Sequence, residues 1–238
     1  WATAEELAFA SILTEGIPIR LTGEDTARGT FSQRHAVFYD VESGETHTPL
    51  QVFKGSHASF QVINSPLSEA GAVGFEIGYN VQTPDRLVVW ETQYGDFINN
   101  AQTMIDEFLL SGRAKWGLTP SLVMLLPHGN EGMGPDHSSA RIERFLGLAA
   151  ELNVRIAYPS TAAQYFHLLR RQALLLEKDP LPLIVFTPKG LLRHPLVASP
   201  AKELAEGGWY SVIDDPNLPA ERSDVENIIL CSGRVYID

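Results

Sequence analysis

The chain has one cysteine, Cys231, among 238 residues, so no internal disulfide is available to it. Set in the apolar run NIILCSG, that thiol reads as an inert core residue in a reducing compartment. Cations are scarce: 18 Lys and Arg face 29 Asp and Glu, a net charge of −11. A phosphate-binding surface needs clustered Lys and Arg, so no nucleic acid and no anionic membrane is expected as a partner. No apolar run reaches the ~18 residues of a membrane span, and no signal segment is expected. Also missing are a GxGxxG after a strand, a GxxxxGK[ST] loop, a GxSxG elbow and a HExxH helix. Their absence leaves the corresponding nucleotide, hydrolase and zinc chemistries unsupported. There is no internal repeat and no low-complexity stretch.

What is present suits one large domain: 44% of the residues are hydrophobic, enough for a sizeable core. Strand-like runs lie at 17–22 (IPIRLT), 86–92 (RLVVWET), 121–127 (SLVMLLP), 154–159 (VRIAYP), 181–188 (LPLIVFTP) and 227–233 (NIILCSG). Segments of helical period separate them, at 71–82, 98–112, 138–152 and 161–177, after an amphipathic start WATAEELAFASILTEG. Near-continuous apolar strands alternating with helices predict an α/β three-layer sandwich around a mostly parallel central sheet. Residues 23–50 read as an irregular insertion after the first strand. The start without Met, already helical, and the end directly after a strand-like run suggest a piece of a longer protein.

Polar residues concentrate in three loops next to these runs: QYGDFINN, HGNEGMGPDHSSAR and SPLSE. In a parallel sheet such loops converge on a crevice at the carboxyl edge, which places His137 at a helix start beside it. In SPLSEAGAVGFEIGYN the glycines 71, 74 and 78 line one side of a helix, at roughly 1 kcal/mol each relative to alanine. Such a face admits close approach of another backbone. Glu69, following Ser68 as N-cap, fits a first-turn acid that complements the helix dipole, and equally a site carboxylate. His128, Glu131, Asp136 and His137 match neither a zinc helix nor a calcium loop, so the expected metal ligands are none.

As a set, RLTGEDTARGTFSQRHAV, TPLQ, SPLSEAGAVGFEIGY, WETQYGDFINNAQTMIDEF, LLPHGNEGMGPDHSSARIERFL and PKGLLRHP resemble the thiamin-diphosphate-dependent, decarboxylating component of 2-oxoglutarate dehydrogenase. The resemblance runs over residues 1–238 and covers the transketolase-like pyrimidine-binding domain alone. It implies a single domain, 1–238, within a longer multidomain enzyme. The family's diphosphate half-site uses magnesium, a GDG motif and a later asparagine. Here Gly95-Asp96 is followed by Phe97, and Asn99 comes too soon. Magnesium is therefore expected on a domain absent from this chain.

The resemblance also assigns roles. Glu69 would contact the pyrimidine nitrogen of thiamin diphosphate as an acid–base group, Phe97 would pack on the ring, and Gln93 would sit on the same loop. His137 would lie at the reacting end, orienting the 2-oxo acid or its developing alkoxide; His128 is a further candidate. Arg28, Arg34 and His35 either counter substrate carboxylates or form salt bridges. The implied reaction is decarboxylation of 2-oxoglutarate and succinylation of a lipoyl group. Its implied partners are the diphosphate-binding domain, the lipoyl domain of dihydrolipoyl succinyltransferase, and a second copy in a homodimer. 2-Oxoadipate as substrate, or a non-catalytic dimerisation module, are the alternatives. The setting would be the bacterial cytoplasm or the mitochondrial matrix.

Overall fold

The computed structural model describes residues 1–130, 134–215, 218 and 222–238. Its strands are β1 (Ile19–Gly23), β2 (Phe38–Tyr39), β3 (Thr46–His47), β4 (Phe60–Asn64), β5 (Leu87–Glu91), β6 (Val123–His128), β7 (Arg155–Ala157) and β8 (Leu183–Pro188). The α-helices are α1 (Ala2–Thr14), α2 (Pro49–Val52), α3 (Glu69–Gln82), α4 (Gln102–Met104), α5 (Gly112–Trp116), α6 (Ile142–Leu148), α7 (Ala162–Leu174) and α8 (Ala201–Glu206). Six strands form one sheet in the order β4-β1-β5-β6-β8-β7, and every pairing in it is parallel. The strand-period alternation sorts the core between two faces. Leu87, Val89, Val123, Leu125, Leu183 and Val185 pack with α1 and α7 on one side. Val88, Trp90, Met124, Leu126, Ile184 and Phe186 pack with α3 and the 98–110 segment on the other. The predicted three-layer α/β fold is therefore what forms.

Three local expectations are corrected. β4 is absent from the predicted strands because FQVIN is an edge strand, buried only at Phe60 and mostly exposed beyond it, so it carries no continuous apolar run. NIILCSG is apolar enough for a strand but pairs with no neighbour among the described residues. Ile228, Ile229 and Leu230 are 81%, 86% and 88% exposed, and Cys231 is exposed rather than in the core. The helix expected over 138–152 is confined to α6, because Ala140 and Arg141 take positive φ, 51° and 57°, which no α-helical turn accepts. The helix expected over 98–112 does form, but as a 3₁₀ segment (Gly95–Ala101), then α4, then a π segment (Ile105–Leu110).

The strand order reverses direction at β1, so the ends of β1 and β5 flank the switch point where such sheets bind ligands. Gly23, the last residue of β1, sits so close to β5 that a Cβ would lie 2.5 Å from the Glu91 carbonyl oxygen. From there the chain runs through 24–36 and is pinned by Arg34. That guanidinium is buried; its Nε donates to Glu5 at 2.6 Å, Nη2 to Glu91 at 2.6 Å and Nη1 to the Thr26 carbonyl at 2.8 Å. Tyr165 of α7 donates its hydroxyl to Glu5 at 2.5 Å, so α1, β5, α7 and the loop meet at one point. Arg34→Ala leaves Glu5 and Glu91 buried without a counter-ion, and it should cost about 3–5 kcal/mol in urea unfolding. A loss of under about 1 kcal/mol, the size of a surface pair, would show that the cluster does not organise the loop.

Glu6 sits beside this cluster with its Oε1 buried and without a hydrogen-bond partner among the described residues. Burial, and after it the Glu5 carboxylate, push its pKa from 4.5 up to about 7, against the opposing pull of Arg34. A raised folded-state pKa means that stability is fully present below the unfolded value and is lost as pH rises through about 7. Glu6→Gln removes that loss. The variant's melting temperature should gain on the unsubstituted chain between about pH 5 and about pH 8, and a difference independent of pH would contradict the assignment.

Candidate functional site

The segments after β4, β5 and β6 all emerge at the carboxyl edge, as the loop reading expects. Ser68 takes an extended conformation as N-cap of α3, and its hydroxyl accepts from the Gly71 N–H at 3.4 Å. This fixes Glu69 in the first turn, half-buried at the rim of a pocket of about 660 Å³ that Glu24, Asn64, Ser65 and Leu67 also line. Glu69 Oε2 accepts from Asn100 Nδ2 at 3.4 Å. Asn100 and Phe97 are three apart on a 3₁₀ segment and so share its face. The carboxylate is thereby tied to the segment that carries the aromatic.

Around Phe97 the loops interlock. Tyr94 meets Phe97 edge-on at 5.3 Å between ring centroids and stacks on His137 at 3.6 Å with 21° between the planes. Phe97 also meets His137 edge-on at 5.9 Å. His137 is the last residue of a 3₁₀ turn, Pro135–His137, rather than a helix-start residue, and its carbonyl accepts from the Gly129 N–H at 2.7 Å. Its Nδ1 is buried and has no hydrogen-bond partner among the described residues. Gln93 Oε1 accepts from Thr30 Oγ1 at 2.9 Å, which joins the β5 loop to the loop after β1. Phe97 and His137 thus come together around Tyr94, with Glu69 attached through Asn100 and Gln93 tied to Thr30.

The other candidates lie elsewhere. His128 is buried with Nε2 2.8 Å from the Tyr158 hydroxyl and its ring edge-on to Phe186, a cluster on the β7–β8 side. Arg34 is taken up by Glu5 and Glu91 and is closed to substrate carboxylates. Arg28 pairs with Asp25 on the exposed loop, and His35 approaches the Ser32 carbonyl at 3.1 Å. Glu131 lies outside the described residues.

Sequence reasoning passed over Tyr94, Asn100 and Arg193, and read Asp96 only through a magnesium motif that it does not complete. The Asp96 carboxylate accepts from the Ser139 and Ala140 N–H groups, both at 3.1 Å, and so holds the 137–141 loop against the β5 loop. Gly95 permits that contact, since a Cβ there would fall 2.4 Å from Ala140 Cβ. Arg193 Nη2 donates to the Phe31 and Ser32 carbonyls at 2.8 and 2.7 Å. The signal for Tyr94 was its place between Gln93 and Gly95; Arg193 acts on residues far away in sequence and gave none.

This donor set suits an aminopyrimidine. Glu69 lines a pocket, Asn100 ties it to the segment that carries Phe97, and His137 Nδ1 is buried without a hydrogen-bond partner among the described residues. The family described as "Transketolase, pyrimidine binding domain" matches residues 1–195. Among curated proteins, the 2-oxoglutarate dehydrogenase E1 component of Geobacillus kaustophilus (strain HTA426) is 58% identical over the whole chain. The proteins of the same name from Bacillus mycoides (strain KBAB4) and Shouchella clausii (strain KSM-K16) are 55% and 54% identical, again over the whole chain. In each case the chain spans 25% of the relative's length. With four-fifths of its length matched and its relatives this similar, the chain belongs to the transketolase pyrimidine-binding domain family.

Proposed function

We propose that residues 1–238 form one pyrimidine-binding domain, the thiamin-binding portion of a 2-oxoglutarate decarboxylating component that is inactive without its diphosphate-binding half. The observation that carries this reading is Glu69 in the first turn of α3, linked through Asn100 to the turn bearing Phe97. Thiamin diphosphate, when bound, supplies the nucleophilic carbon and electron sink that decarboxylation of a 2-oxo acid requires. Glu69 shares a proton with the pyrimidine nitrogen, a task that needs a carboxyl group and not merely a hydrogen-bonding shape. Phe97 forms the apolar wall for that ring and Gln93 its polar edge. His137 donates a hydrogen bond to the oxygen of the 2-oxo acid as negative charge develops on it.

The rest of the enzyme lies with other parts and partners. Magnesium and the diphosphate are held by the complementary domain, since Asp96 is engaged by Ser139 and Ala140. The name borne by the relatives, an E1 component, supports work within a multienzyme complex, with a lipoyl domain of the succinyltransferase as acceptor. Their bacterial origin supports the cytoplasm. Gly71 and Gly78 leave the outer side of α3 open beside Phe75, which is 54% exposed. That face supports a homodimer, as it also would in a purely structural module; Glu69, Phe97 and His137 together favour the enzyme. 2-Oxoadipate is the competing substrate.

Glu69→Gln in the complete enzyme keeps the Asn100 hydrogen bond but cannot exchange the proton. Turnover should fall on the order of 100-fold with the melting temperature unchanged, whereas near-normal turnover would return Glu69 to its helix-dipole role. Titration calorimetry of the 238-residue chain with magnesium and thiamin diphosphate should give no tight binding, because the strongest charge-assisted contacts are elsewhere. Sub-micromolar affinity, about −8 kcal/mol or better, would sink the half-site reading.

A further inference from the structure

An imidazole that must present one nitrogen to a reacting atom is ordinarily oriented by a hydrogen bond at the other, from a carboxylate or a carbonyl. For His137 no such bond is found among the described residues. Its Nδ1 is buried without a partner among the described residues. Two aromatic rings meet the imidazole: Tyr94 stacks on it at 3.6 Å, and Phe97 stands edge-on at 5.9 Å. We propose that Tyr94 is the positioning residue of His137, its ring stacked on the imidazole so that the plane of the histidine is fixed by contact rather than by a hydrogen bond. The inference rests on the reading of His137 as the donor to the substrate oxygen.

Tyr94 is itself held on several sides. Its backbone is extended, and its carbonyl accepts from Thr92 Oγ1 at 2.9 Å, which sets the direction in which the side chain leaves β5. Phe31 packs edge-on against the phenol ring at 5.8 Å. Arg193 clasps the Phe31 and Ser32 carbonyls. Ser32 has φ of 51°, a left-handed conformation that this clasp helps to hold. A continuous path therefore runs from Arg193 through Phe31 and Tyr94 to His137. It joins the loop after β1, the loop after β5, the loop after β6 and the segment after β8. The contacts to Phe31, Phe97 and His137 are made by the Tyr94 ring.

The test is made in the complete enzyme with 2-oxoglutarate, measuring kcat, KM and melting temperature for each variant. Tyr94→Phe, which keeps the ring, should retain turnover close to the original. Tyr94→Leu removes the ring and should lower kcat by about 10- to 100-fold with little change in KM, the size expected when a reacting group is slightly misplaced. Tyr94→Met is a second ring-free variant that fills the same space. In a His137→Ala background, losing the Tyr94 ring should cost nothing further, because the residue it positions is gone. A full additional loss in that background would overturn the proposal, as would a Phe variant as poor as Leu. Unfolding of both ring-free variants while the Phe variant stays active would also overturn it, by making Tyr94 a packing residue. If His137→Ala alone leaves turnover intact, the catalytic reading of His137 fails first, and the proposal with it.

Discussion

The charge cluster at Arg34 is the constraint on which the site depends. Burying one guanidinium and two carboxylates costs several kcal/mol per ion, and the cost is offset only when geometry and hydrogen bonding are nearly complete. Here they are. Arg34 spreads its donors over Glu5, Glu91 and the Thr26 carbonyl, while Tyr165 satisfies Glu5 from the other side. Burial still pushes Glu91 above its ordinary range, which Arg34 counteracts. An arrangement this demanding leaves the 24–36 loop one position, and from that position Thr30 reaches Gln93 and Phe31 reaches Tyr94. The candidate site is thus set by a fully buried interaction.

Much of the fold was legible in the sequence. β5, β6 and β8 are buried at every position, so their apolar runs could be read directly as central parallel strands. β4 was not legible, because an edge strand half in water has neither a continuous run nor a clean alternation. NIILCSG shows the opposite failure: composition announces a strand, but a strand exists only where a neighbour completes its ladder. The site divides in the same way. Glu69 could be named as a candidate from its place after the Ser68 cap, and Phe97 only through the family resemblance. Asp96 was read through the magnesium motif that it fails to complete, when its acceptors' partners lie 43 and 44 residues ahead. Arg34 offered no hint of burial, since its two carboxylates come from 29 and 57 residues away.

The glycines of α3 also differ from the simplest expectation. They are not all pressed against a neighbour: a Cβ at Gly74 would meet Met104, whereas Gly71 has only Leu67 and Ser68 nearby and Gly78 has open space. The inner side of the helix is instead held by Ala72, Val73 and Ile77 in the core and by the Glu76 carboxylate, which takes two hydrogen bonds from Arg20. Arg20 in turn lies over the rings of Tyr79 and Phe75. A firmly anchored inner face and a smooth outer one let α3 present Glu69 at a fixed place while leaving room beside it.

The meeting of Glu5 with Tyr165 spans 160 residues of chain, and this separation governs when the domain can fold during its synthesis. At ribosomal rates of roughly 5–20 residues per second, α7 follows α1 by roughly 10–30 s. Throughout that interval the apolar side of α1, with Phe9, Ile12 and Leu13, has no α7 to cover it. A helix of this length is marginal by itself in water. The side of α1 that α7 covers therefore stays open from the moment α1 emerges until most of the domain has followed it, and the Glu5–Tyr165 hydrogen bond is a contact of high sequence separation.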